Sequence, residues 1–169
     1  MKLSTEQLSE ILLKNKILNK RKIDKLLDEA TKENVSLYDL VIAQEIIDRD
    51  KLGQLVAQAF NVNYINLENV TIDPEKLQIL PEIVAQKNMA IVFDQDQNGI
   101  HIALNNPTNT EFITNFSKRI DKQVILYFAD KDSIKRALEL YPNLGSNENL
   151  DALLKSVNSS INKAKDVPI

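Results

Sequence analysis

The sequence has no cysteine and a single histidine, His101, among its 169 residues. Without cysteine there is no disulfide, no thiol nucleophile and none of the usual structural zinc sites, and the composition is compatible with a reducing compartment. One histidine leaves most nucleophile–base pairs unbuildable. Glycine is also scarce. Gly53, Gly99 and Gly145 are too few and too scattered for a phosphate-cradling GxxxxGK(S/T) or GxGxxG loop. Long apolar runs are missing, since none approaches the length of a membrane-spanning helix, and the opening MKLSTEQLSE has no signal-peptide pattern. Charge of one sign is missing too: the net charge of −3 and pI near 5.3 weigh against a general nucleic-acid binder. The 24 acidic residues single out no carboxylate pair. The expectation is a soluble cytoplasmic chain without a catalytic residue, a bound cofactor or a metal site. At 19.2 kDa it forms one domain or two small subdomains, and needs no staple to bury a core.

What is present is a repeat. ILLKNKILNKRKIDKLL, residues 11–27, returns as LVIAQEIIDRDKLGQLV, residues 40–56. Leu8 falls on Leu37, Leu12 on Val41, Ile17-Leu18 on Ile46-Ile47, Asn19 on Asp48, Ile23 on Leu52 and Leu27 on Val56. Each copy reads as a helical hairpin. Ser4 or Thr5 caps the first helix, Asn19 the second, Ser36 the third (with Asp39 as an acidic capping-box relative) and Asp48 the fourth. The doublets Ile17-Leu18 and Ile46-Ile47 fall at the helix–helix turns and are expected to plug the core. One hairpin cannot bury its apolar face, and two stacked ones can. The fold class expected is therefore α+β. Residues 1–60 form a helical subdomain with repeats at about 5–30 and 34–59, followed by a sheet of three to four strands with flanking helices over 61–142.

In that second part, NVNYINL alternates as a strand, with Val62 and either Tyr64 or Ile65 inward. Asp73 caps a short helix with Pro74 in its first turn, and Pro81 restarts another. MAIVF, the turn DQDQNG and IHIAL read as a β-hairpin around Gly99. NNPTNT leads into a helix carrying Phe112, Ile113 and Phe116. QVILYFA is the most hydrophobic strand and is expected at the centre of the sheet. DKDSIKRALELY is a capped helix with Ile134, Ala137, Leu138 and Tyr141 on one face. Residues 143–169, with one helical patch at Leu150, Leu153, Leu154 and Val157, read as a linker. Their last residues, DVPI, lead to the expectation that the chain continues into a longer protein.

The order of these motifs resembles the N-terminal, MshEN-type domain of type IV pilus assembly and type II secretion ATPases. The residues concerned are the doubled hairpin, YINL, LPEIVAQKNMAIVF, IHIALNNPTN and DSIKRALELY. A family turn of the form Ala-x-x-x-Pro-Thr-Asp is filled here by Ala103, Asn106, Pro107, Thr108 and Asn109, and DVPI resembles the start of the family's next domain. The resemblance covers about residues 5–142 plus that tail. It implies a hexameric motor whose ATP and magnesium site lies in a later region, so 143–169 would lead toward that ATPase region. It also implies an N-terminal domain, monomeric when isolated, that docks on inner-membrane platform or cytoplasmic assembly proteins or on a PilZ-type regulator. The protein would then be cytoplasmic and held at the inner membrane through those partners.

Some members of the family bind cyclic di-GMP through a doubled motif resembling R-L-G-x-x-L…G-(L/I)-(L/I)…L…L…Q. Arginine suits guanine or phosphate, glycine lets a base approach the backbone, and glutamine supplies an amide. Here the first copy has Gln7 at the arginine, Ser9 and Lys16 at the glycines, and Ala30 at the glutamine. The second has Ser36, Tyr38, Glu45 and Ala59. Charge-assisted contacts contribute about 1.5–3 kcal/mol each, so these replacements predict the loss of dinucleotide binding. A degenerate cyclic di-GMP sensor is the alternative to a docking module.

Lys14, Lys16, Lys20, Arg21, Lys22 and Lys25 form a basic run offset by Asp24 alone. It reads either as a solvated helix end or as an anion-facing patch for an acidic partner or the inner-leaflet surface. His101 is expected as an ordinary exposed or edge residue. NNPTNT reads as a structural strand-to-helix turn, with an anion-binding turn as the alternative. Phe93, Phe112, Phe116, Tyr127 and Phe128 are expected in the core.

Overall fold

The computed structural model describes residues 3–141, so the linker expected at 143–169 lies outside the described residues. The chain starts with four helices, α1 (Thr5–Lys14), α2 (Lys20–Glu33), α3 (Leu37–Ala43) and α4 (Arg49–Ala59). Each begins at a capping side chain. Ser4 accepts from the Gln7 N–H while the Gln7 side chain accepts from the Ser4 N–H, which makes a full capping box. Asn19, Ser36 and Asp48 cap the other three. These bonds satisfy N–H groups that a helix start leaves unpaired.

The two hairpins share one turn geometry. Lys16 and Glu45 both adopt the left-handed conformation, at φ 56° and 53°. The Ile17 N–H bonds back to the Leu12 carbonyl, and the Ile46 N–H to the Val41 carbonyl, each at 3.0 Å. Glycine is the usual residue at such a helix end, and a side chain there costs about 1–2 kcal/mol. The turn persists because the apolar frame behind it is deeply packed. Leu12, Val41, Leu52 and Val56 are all fully buried in one cluster with Leu8, Ile23, Leu26 and Leu37. Within the turn doublets only Leu18 and Ile47 are buried, whereas Ile17 and Ile46 are half-buried. Leu27 is also half-buried, although its counterpart Val56 is enclosed. A doublet has two adjacent side chains, and one backbone turn can aim only one of them inward.

The α+β part contains four strands: β1 (Asn63–Tyr64), β2 (Ala90–Asp96), β3 (Gly99–Leu104) and β4 (Val124–Phe128). Four further helices accompany them: α5 (Pro74–Leu77), α6 (Glu82–Asn88), α7 (Thr110–Arg119) and α8 (Lys131–Leu138). The sheet order is β1-β4-β3-β2, with β4 parallel to both β1 and β3, and β2 antiparallel to β3. The expected strand over 61–67 shrinks to two residues, because Asn66 caps a 3-10 turn at Leu67–Asn69 and takes the chain off the sheet. β2 extends through Asp96, so the hairpin turn is only Gln97–Asn98. Gly99, at φ 145°, is required there, since a Cβ would come within 2.2 Å of the Gln123 carbonyl oxygen. The register slips between Val92 and Asp94, so Phe93 sits in a bulge. β4 lies inside the sheet as expected, yet Val124 to Tyr127 are only half-buried and Phe128 alone is enclosed.

Phe128 belongs to the hairpin cluster, whereas Ile91, Ile100, Ile102, Leu104, Phe112, Phe116 and Ile134 form the second core. β1 stands between the two cores: Val62 and Tyr64 pack on the hairpins and Ile65 on the sheet side.

Candidate functional site

The junction between hairpins and sheet carries a polar cluster beside the packed Phe128, Val62 and Tyr64. Arg49, the first residue of α4, places Nη1 2.9 Å from Asp130 Oδ1 and 3.6 Å from Asp132 Oδ2. Asp130 is 3% exposed, and the same carboxylate oxygen caps α8 by accepting from the Asp132 and Ser133 N–H groups. The neighbouring Asp50 accepts from the Tyr64 hydroxyl at 2.7 Å and from the Asn66 amide at 2.9 Å. One turn on, Gly53 is buried under the Tyr64 ring, where a Cβ would meet Cε2 at 2.2 Å. Burial first, then the bond to Asp50, pushes the Tyr64 phenol well above its ordinary range. Tyr38 is pushed up as well, by burial and then by Asp130, and its oxygen is enclosed without a hydrogen-bond partner. None of these pairings was legible in the sequence, because Arg49 and Asp130 stand 81 residues apart. The available signal was Asp130 itself, an acid directly before the start of a helix.

Of the eight positions aligned with the family's dinucleotide motif, four line two different hollows. Ser36 and Tyr38 line a small hollow of about 140 Å³ with Leu3, Leu8 and Lys131. Gln7 and Ala59 line a separate groove between α1 and α4, together with Lys14, Leu55 and Phe60. Lys16 is on the α1–α2 turn. Several of these side chains are already engaged in local structure. Gln7 is held in the capping box, the Ser9 hydroxyl donates to the Thr5 carbonyl at 2.8 Å, and Ser36 donates to Asp39 at 2.6 Å. Ala30 is buried and Ala59 exposed. Lys16 and Glu45 hold the left-handed turn positions where the family pattern has glycine.

All six cations of the basic run, Lys14, Lys16, Lys20, Arg21, Lys22 and Lys25, are exposed. Among the described residues none of them makes an ion pair, whereas Arg49, Lys76 and Arg136 do. Lys16, Lys20 and Lys22 surround a shallow hollow floored by Leu13, Ile17 and Leu18.

The profile of the MshEN domain matches residues 60–148, just over half of the chain. The chain belongs to the MshEN domain family. The matched stretch starts where α4 ends, so the two hairpins lie before it. This MshEN domain is also similar to the type IV pilus assembly ATPase PilB of Myxococcus xanthus, with 20% identity over 135 residues. That alignment takes in 80% of the chain and 24% of the relative, so the chain spans about a quarter of PilB. Among solved structures, MshE with cdg superposes at a TM-score of 0.61 and 18% identity, covering 80% of this chain and 98% of that one. The N-terminal domain of XpsE gives 0.55 and 12%, covering 82% and 96%. At these identities the likeness concerns the fold, and its extent shows that it continues beyond the matched stretch into the hairpins. The chain is thus an MshEN domain of the kind found in pilus and secretion ATPases.

Two expectations for this MshEN domain need correction. His101 is neither exposed nor on an edge. It lies on the interior strand β3 with its side chain 13% exposed, Nδ1 3.1 Å from the Tyr127 hydroxyl and Nε2 3.3 Å from Asp96 Oδ2. The Nε2 contact is one of distance only, without the alignment of a hydrogen bond. Phe93, itself buried, meets both His101 and Tyr127 edge-on, and Tyr127 is half-buried against the core and not enclosed in it. The NNPTNT turn is held by its own side chains: Asn106 Oδ1 accepts from the Thr108 N–H and hydroxyl, and Asn109 caps α7 while bonding Asn88. These contacts favour the structural reading of the turn. No cluster of three or more candidate metal ligands occurs among the described residues, and no described helix is long and apolar enough to cross a membrane.

Proposed function

We propose that this MshEN domain is the non-catalytic docking and regulatory part of a type IV pilus assembly or type II secretion motor. It would link a hexameric ATPase, with ATP and magnesium bound elsewhere in the parent protein, to inner-membrane platform proteins, cytoplasmic assembly proteins or a PilZ-type regulator. On this reading the protein works on the cytoplasmic side of the inner membrane and reaches it through those partners. The supporting observation is the basic run from Lys14 to Lys25. Its six cations are exposed and without ion pairs among the described residues, on a turn whose backbone is fixed by the apolar frame beneath it.

The test is charge reversal. Lys20, Arg21 and Lys22 changed to glutamate should leave the circular dichroism and melting curve unchanged, because these side chains are solvated. The same variant should pull down the platform partner more weakly, with the larger loss at low salt, where charge attraction is least screened. Partner binding that ignores the reversal moves the docking surface onto the α+β half.

The second reading is a cyclic di-GMP sensor, favoured by the likeness to MshE with cdg. Against it stand Gln7, Ser36, Ala30 and Ala59 where the doubled motif has arginine and glutamine, and Lys16 and Glu45 where it has glycine. The carboxylate of Glu45 would repel a phosphate.

A further inference from the structure

The repeat places the same helix face in two environments. In the second hairpin, Arg49, Asp50 and Gly53 form the face of α4 that receives the α+β part, through Asp130, Tyr64 and Asn66. The positions equivalent to these in the first hairpin are Lys20, Arg21 and Asp24 on α2, and all three are exposed. Beside that open face, Leu13 is 39% exposed, outside the hairpin cluster, whereas its counterpart Ile42 packs against it. Leu13 and the half-buried Ile17 floor a hollow rimmed by Lys16, Lys20 and Lys22.

On this basis, and resting on the docking reading above, we infer that the α1–α2 turn and the first turn of α2 receive a carboxylate-rich protein segment with one apolar side chain seated over Leu13 and Ile17. The second hairpin gives the template. Arg49 engages a carboxylate that also caps a helix, and Lys20 offers a cation at the equivalent place that makes no ion pair among the described residues. The charges at the two turns differ in sign as well. The first has Lys16 and Lys20, whereas the second has Glu45 and Asp48 around Arg49. An acidic segment is therefore drawn to the first turn and repelled by the second. A purely electrostatic patch has no need of an exposed leucine, and an apolar centre with a charged rim is the arrangement of a protein–protein anchor.

The experiment uses the full chain and a fluorescein-labelled acidic helical peptide in which glutamates flank a central leucine. Two controls replace the leucine by serine or the glutamates by lysine. Anisotropy at low salt should show the leucine peptide binding about tenfold more tightly than the serine peptide. Leu13→Ser and Lys20→Glu should each weaken it about tenfold. Both side chains are exposed, so the variants should melt like the parent. Amide shifts on peptide addition should cluster within residues 13–25 and spare 45–54. Equal binding of leucine and serine peptides, still abolished by Lys20→Glu, overturns the inference and leaves the general docking reading in place. No binding of either acidic peptide overturns the inference, and loss of platform binding on charge reversal would then show separately that the patch itself still docks. Preference for phosphatidylserine vesicles over the peptide overturns it in favour of a membrane surface.

Discussion

Lys20 and Arg49 stand at the same point in two copies of one hairpin, and among the described residues only Arg49 makes an ion pair. The copies have the same frame: fully buried Leu12 and Val41 in one helix of each, a left-handed residue at each turn, and an asparagine or aspartate capping the helix that follows. They differ on the outer face. Gly53 lets the Tyr64 ring lie against α4, and Asp24 keeps the same spot on α2 polar and open. A duplicated unit can thus keep its interior and specialise its exterior, one copy turned toward the rest of the chain and the other toward solvent. The interior is what makes the repeat visible in the sequence. The exterior is what distinguishes the roles of its copies.

The largest effects are expected where the copies agree. Leu12→Ala and Leu52→Ala should each cost about 2–5 kcal/mol, read as a lower denaturant midpoint, because both side chains are fully buried in the shared cluster. Leu27→Ala should cost clearly less, since that side chain is half-buried. If Leu27 and Leu52 proved equally costly, the packing described for the two copies would need revision.

Next come substitutions that separate the copies. Arg49→Ala removes the guanidinium beside Asp130 and should destabilise by about 1–3 kcal/mol. That range is held below the usual loss for a buried pair because the arginine side chain is 35% exposed and Asp130 keeps its helix-cap bonds. Lys20→Ala should lie within about 0.5 kcal/mol of the parent. Gly53→Ala should cost about 1–3 kcal/mol by forcing the Tyr64 ring away, with part of the loss recovered in Gly53→Ala/Tyr64→Leu. Asp24→Ala, at the equivalent exposed position, should be nearly neutral, within about 0.5 kcal/mol. Denaturant unfolding of the four single variants checks the set. A costly Lys20→Ala would mean that the first copy also faces inward.

The legible features were those set by neighbours in the chain. Ser4, Asn19, Ser36, Asp48 and Asp73 cap helices because a short polar side chain reaches an N–H two or three residues on, and a sequence shows such spacing directly. The apolar frame was legible for the same reason, through its helical period. The junction was not, since Arg49–Asp130 and Asp50–Tyr64 depend on how two cores meet. His101 was misplaced because a period-two pattern says which face a side chain takes and not whether the strand is interior or at an edge. The left-handed turns at Lys16 and Glu45 could be read only through the glycine positions of the family pattern, because neither position holds a glycine here. Of the candidate site, the basic run could be read as charge, but the hollow between its lysines required the turn geometry.

The central claim is that the doubled hairpin survives as a scaffold with one outward docking face, and not as a dinucleotide site. Titration calorimetry of the full chain with cyclic di-GMP tests it most directly. The expected result is no binding tighter than about 100 μM, a free energy near −5.5 kcal/mol. Saturable binding in the sub-micromolar range would contradict the account and make the chain a sensor.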